Sequence, residues 1–142
     1  MSEATVRKVM DAFNRHDAAG FASAYASDAV VYDPQYPQPL KGRDSIRDDI
    51  DTFFTTFPDI TGTVGRVLEK DNVAAFEGSF KGTNKGPLKM PGGDVPPTNK
   101  AVNLMGAIFV RLNGKGEIEE ERRYFDMGSM MTQLGLGPEG QA

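Results

Sequence analysis

The chain has 142 residues, a formal net charge of −4 and no cysteine. That length suits one domain, residues 1–142, with a single sizeable core, and the missing thiols exclude disulfides, thiolate chemistry and Cys-ligated metal. The 16 Lys and Arg are spread without a block among 20 Asp and Glu, so no concentrated basic face is expected to meet nucleic acid.

MSEATVRKVM has no apolar signal-peptide core, and no later run reaches transmembrane length. A cytoplasmic protein without a membrane partner is the expectation. Val6, Val9, Met10 and Phe13 fall at i, i+3, i+4 and i+7, the stripe of a first helix. Phe21, Ala24 and Tyr25 suggest a short second helix ending near Ser27-Asp28, and Val30 to Asp33 a short strand. A third helix presents Ile46, Ile50, Phe53, Phe54 and Phe57 on one face and closes at Pro58.

Beyond Pro58 the period changes to two. Residues 61–69 and 73–83 form strands around Lys70-Asp71-Asn72. The Pro/Gly-rich stretch 84–99 is too long for a simple hairpin and reads as a lid. Two long strands, 100–112 and 117–127, flank NGKG. A helical turn over 129–136 and a frayed tail, GPEGQA, complete the chain. Helices followed by antiparallel strands define an α+β domain.

The order of elements, with NRHDAAGFASAYASDAVVYDP, GTNKG, PPTNKAV and GEIEEERRYFDMGSMMTQLGL, resembles the SnoaL-like polyketide cyclases and related ester cyclases of the nuclear-transport-factor-2-like superfamily. The resemblance implies a cone-shaped, cystatin-like fold, in which a curved antiparallel sheet packs against three N-terminal helices around a pocket. It also implies a homodimer formed through the outer sheet face. Fold alone leaves function open, because this superfamily hosts enzymes, binding proteins and scaffolds.

A turn centred on Gly114-Lys115 would pair residues whose numbers sum to 229, setting Asp126 opposite Asn103 and Tyr124 opposite Met105. One face then carries Asn103, Met105, Ala107, Phe109, Glu120, Arg122, Tyr124 and Asp126, and its apolar residues with a few polar groups suit a pocket wall. The other face carries Val102, Leu104, Gly106, Ile108, Val110, Glu119, Glu121, Arg123 and Phe125, a mixture suited to the dimer interface.

The resemblance assigns Asp126 as general acid/base. In an apolar cavity its charged form would be disfavoured, as proton transfer α to a carbonyl requires. Asn103, Tyr124 and Tyr32 are candidates to orient the acid or polarise the carbonyl. Arg122 would bind an anionic or ester end, and Met105, Phe54 and Phe109 would complete the substrate wall. Alternatively, Asp126 caps the following helical turn or pairs with Asn103. The cyclases pair this aspartate with a cavity histidine, whereas His16, the one histidine here, lies in the NRHD turn and reads as structural.

The expected reaction is a cofactor-free cyclisation, or related isomerase or lyase chemistry, on a hydrophobic carbonyl compound. A non-catalytic small-molecule carrier, with its methionines as adaptable contacts, is the alternative from another class. A hydrolase like limonene-epoxide hydrolase needs two acids and an arginine around one water. Arg122 and Asp126 lie roughly 13 Å apart along a strand, which disfavours it, and Glu77 would have to supply an acid. With one His and no HExxH, no metal site is expected, and RDDID reads as a solvated helix face.

Overall fold

In a computed structural model, residues 2–90 and 92–137 are described. Helix α1 spans Ser2–Asn14, α2 Ala18–Ser23 and α3 Gly42–Thr56, and α4, Met127–Gln133, is the last element among the described residues. The strands are β1 Tyr25–Tyr32, β2 Leu40–Lys41, β3 Thr61–Lys70, β4 Val73–Thr83, β5 Leu88–Met90, β6 Gly93–Val95, β7 Ala101–Leu112 and β8 Ile118–Phe125.

The apolar stripe of α1 is buried as its spacing predicts, with Val6, Met10 and Phe13 in the core. Asp17 caps α2 by accepting from the Gly20 amide at 2.9 Å. That helix is shorter than expected. Tyr25 already belongs to β1, where it is fully buried. The third helix matches its predicted face and ends before Pro58.

The main sheet has the order β2-β1-β8-β7-β4-β3. It is a curved sheet with the N-terminal helices packed on it, an α+β fold as anticipated. One pairing differs from the antiparallel rule, because β1 runs parallel to β8. That arrangement brings the start of the chain beside its last strand, and it positions the candidate site.

The β7–β8 register differs from the simple hairpin. Ala107 pairs with Tyr124 and Phe109 with Arg122, so paired numbers sum to 231, with an irregularity between Arg111 and Leu112. Asn113 explains the shift. Its side-chain oxygen accepts from the Lys115 and Glu117 amides, and its own amide donates to the Glu117 carbonyl, which makes a wider turn. A shift of two keeps each residue on its expected face, but it separates Asp126 from Asn103. Gly106 faces Phe125, and a Cβ at Gly106 would lie 2.2 Å from the Phe125 ring.

The described residues of 84–99 are tied down rather than loose. Asn84 is fully buried; its amide nitrogen donates to the Gly86 carbonyl and its oxygen accepts from the Thr98 amide and hydroxyl. Beyond this anchor β5 and β6 form a small separate hairpin, with Leu88 in the core. Of the tail expected to fray, residues 138–142 lie outside the described residues.

Candidate active site

A cavity of about 100 Å³ lies between the helices and the inner sheet face. Val6, Met10 and Phe13 of α1, Ile50 and Phe53 of α3, Phe76 and Phe80 of β4, Ile108 of β7 and Phe125 of β8 line it. Met127 and Met130 add a wall from α4. These are the side chains that the amphipathic stripes turn inward, so the cavity is apolar by construction.

Its polar end is a buried cluster around Arg123. The guanidinium donates from Nε to Glu121 Oε2 at 2.6 Å, and from Nη1 to Asp33 Oδ2 at 2.8 Å and Asp49 Oδ2 at 2.9 Å. The Tyr25 hydroxyl donates to Glu121 Oε1 at 2.6 Å, and the Tyr36 hydroxyl to Asp49 Oδ1 at 2.5 Å. The Gln35 amide donates to Asp33 Oδ1 at 2.8 Å. Side-chain exposure is 6% for Arg123 and Glu121, 2% for Asp33 and 1% for Asp49. Tyr25, Asp33, Glu121 and Arg123 line the cavity, whereas Asp49 stands behind Arg123.

Four elements supply these groups: β8 gives Glu121 and Arg123, β1 gives Tyr25, the turn after β1 gives Asp33 and Tyr36, and α3 gives Asp49. Alternation along β8 turns 121 and 123 to the same side. Burial alone would pull the Arg123 guanidinium down, but Glu121, Asp49, Tyr25 and Asp33 outweigh it and hold the pKa well above the ordinary arginine value. Burial, then the neighbouring Glu121 charge, raises the Tyr25 phenol well above its usual value. Burial and Asp49 do the same to Tyr36.

The two faces of the β7–β8 ribbon are therefore assigned the other way round from the sequence expectation. Val102, Leu104, Ile108, Glu121, Arg123 and Phe125 line the cavity, so that face is not available to a second chain. Met105, Phe109 and Tyr124 of the expected pocket wall are exposed on the outer face, by 73%, 44% and 55%. Phe109 and Tyr124 pack edge to face there, and Arg122 lies over the Tyr32 ring at 4.2 Å from its centroid. Asn103 is exposed, and Gln133 bonds its backbone amide and carbonyl, pinning α4 to β7.

Asp126 is also exposed and does not line the cavity. It is the N-cap of α4, its side chain accepting from the Ser129 amide at 2.9 Å. Phe54 is half-buried beneath the cavity wall, stacked on His16 with centroids 4.4 Å apart. His16 Nε2 is 2.8 Å from the Ile60 carbonyl, which gives that histidine a structural bond, as its place in the turn suggested. Glu77 is exposed and pairs with Arg66. None of the described residues of 84–99 lines the cavity, so the segment does not serve it as a lid.

Sequence reading missed Tyr25, Asp33, Asp49, Glu121 and Arg123. One signal was available. Asp49 stands three residues after Ile46 and beside Ile50, on the apolar stripe of α3 rather than on its wet face. No Cys, His, Asp or Glu group among the described residues is arranged to hold a metal ion. The three acids instead converge on a guanidinium.

The elements define an α+β protein with an apolar cavity between a curved sheet and N-terminal helices, ending in buried acids. The chain belongs to the SnoaL-like polyketide cyclase family, whose model matches residues 3–134. Among solved structures it is similar to IdmH from Streptomyces antibioticus, provisionally assigned as a polyketide cyclase, with 25% identity, a TM-score of 0.76, and 95% of this chain and 99% of that one covered. AclR from Streptomyces galilaeus, provisionally assigned as a hydroxylase, is 20% identical with a TM-score of 0.81, covering 96% and 82%. A protein with a ketosteroid isomerase-like fold from Catenulispora acidiphila DSM 44928 is 18% identical with a TM-score of 0.78, covering 95% of each chain. No curated protein matches the chain. Among the described residues no helix is long and apolar enough to cross a membrane.

Proposed function

We propose that the chain carries out cofactor-free acid–base chemistry on a hydrophobic carbonyl compound, an aldol-type cyclisation or an isomerisation, at the Arg123 end of the cavity. The observation that carries this reading is the gathering of Glu121, Asp33, Tyr25 and Arg123 along one end of an otherwise apolar cavity. Arg123, with its five N–H groups, polarises the substrate oxygen. Glu121 removes the proton α to the carbonyl and returns it. Tyr25 and Asp49 hold that pair in place from either side. In this reading Asp126, to which the family resemblance gives the acid/base role, serves α4 as its cap.

A test needs no knowledge of the natural substrate. α-Proton exchange of cyclohexanone in D₂O, followed by NMR, reads the proposed proton transfer directly. Wild-type protein should accelerate exchange above the buffer rate and Glu121→Gln should lose about 10²-fold or more of that acceleration. No acceleration by the wild-type chain with cyclohexanone in the cavity would remove the reading.

A specific observation also favours hydrolysis of an epoxide. Two cavity-lining acids on one arginine, Asp33 and Glu121 on Arg123, supply the acid–arginine–acid set that Arg122 and Asp126 could not. Production of a diol from cyclohexene oxide would support this second reading.

We further assign self-association to the outer face of β7 and β8, where Met105, Phe109 and Tyr124 form an exposed apolar patch.

A further inference from the structure

An arginine at the end of an apolar cavity ordinarily reads as a carboxylate receptor, because its fork matches that geometry. Here its charge is already exceeded. Three carboxylates, Asp33, Asp49 and Glu121, against one guanidinium leave a formal surplus of two negative charges, at side-chain exposures of 6% or less. Lys81 also borders the cavity, but it is exposed and solvent screens it. A fourth carboxylate reaching Arg123 would come within a few ångström of the other three. Like charges about 4 Å apart in a protein environment repel by roughly three powers of ten in affinity.

Size adds a second restriction. An enclosed apolar cavity of about 150 Å³ holds one benzene, whereas this one measures about 100 Å³ and is open at its mouth, so a single ring fits only with part of it left in the opening. Gly106 and Phe125 fix one wall, since the ring already occupies the space that a Cβ at Gly106 would need.

We propose that the cavity is a charge and size filter: it takes uncharged carbonyl compounds whose buried part is at most one six-membered ring, and it rejects the corresponding carboxylates. The surplus acids are the specificity determinants, and Arg123 recognises oxygen without recruiting anions. This deepens the assignment of the cavity as the reaction site and rests on it, yet it is tested by binding alone.

The experiment is an NMR titration of methyl-labelled wild-type protein at pH 7, following Val6, Ile50, Ile108 and Met130. The probes are cyclohexanone, cyclohexanecarboxylate and 2-decalone. Cyclohexanone should bind at least about tenfold more tightly than cyclohexanecarboxylate, the open mouth having softened the full repulsion. It should also bind more tightly than the two-ring 2-decalone. Glu121→Gln, and separately Asp33→Asn, should narrow the ketone-to-carboxylate ratio by about threefold or more, each variant's fold being checked by its melting curve. Equal or tighter binding of the carboxylate, tighter binding of 2-decalone at the same methyls, or no binding of cyclohexanone there overturns the proposal. Cyclohexanone binding without α-proton exchange leaves the filter standing and removes the catalytic reading. Exchange with indiscriminate binding does the reverse.

Discussion

The Tyr25 hydroxyl donates to Glu121 Oε1 at 2.6 Å, joining the first residue of β1 to the middle of β8. Ninety-six positions separate the two, and both side chains are buried. Because the folded-state pKa of Tyr25 lies above the unfolded value of about 10, the stability tied to its proton is complete below pH 10. It is lost as pH rises from there through the folded value. Urea midpoints should therefore fall between pH 9 and pH 11, and Tyr25→Phe should flatten that fall. At pH 8 the same variant should cost about 1–3 kcal/mol, because Glu121 loses a buried donor.

Removing the cation from the cluster should do far more damage than removing one acid. Arg123→Met leaves Asp33, Asp49 and Glu121 facing one another without compensation, at an expected cost of about 3–5 kcal/mol. Asp49→Asn, which lowers the surplus charge and keeps the shape, should cost less than half of that. Chemical denaturation of both variants at one pH checks the order.

Asp126 should behave as a helix cap. Asp126→Ala should cost about 0.5–2 kcal/mol through the lost bond to the Ser129 amide, whereas Asp126→Asn, an equally good cap, should be near neutral. Thermal melts of the two variants separate the cap from a buried structural acid.

Self-association through Met105, Phe109 and Tyr124 should place the chain as a dimer at micromolar concentration in sedimentation velocity. Tyr124→Glu should then shift it toward monomer, since the new charge would face a partner's apolar patch. Leu104→Glu, on the cavity face, should instead lower the melting temperature. A wild-type monomer contradicts the assignment.

Much of the fold was legible because it is local. The stripe Val6–Val9–Met10–Phe13, the third-helix face and the period-two strands depend on spacing, and they emerge within a few residues of their predicted ends. The site was not legible, because its sense depends on contacts far apart in sequence. Glu121 and Arg123 make their β8 face look wet until Asp33 and Asp49, 90 and 74 positions from Arg123, are seen to enclose the guanidinium. Met105, Phe109 and Tyr124 make the opposite face look dry although it is exposed. Alternation separates the two faces of a ribbon but does not say which one is covered. RDDID misled for a related reason: four of its residues suit solvent or the stripe, and only Asp49 crosses from one to the other.

The central claim is that proton transfer belongs to the buried cluster and not to the cap of α4. Cyclohexanone α-proton exchange compared in wild type, Glu121→Gln and Asp126→Asn tests it most directly, with folding verified for each. Exchange in Asp126→Asn should stay within about twofold of wild type, whereas Glu121→Gln should lose about 10²-fold or more. Loss in a folded Asp126→Asn with exchange retained in Glu121→Gln would contradict it.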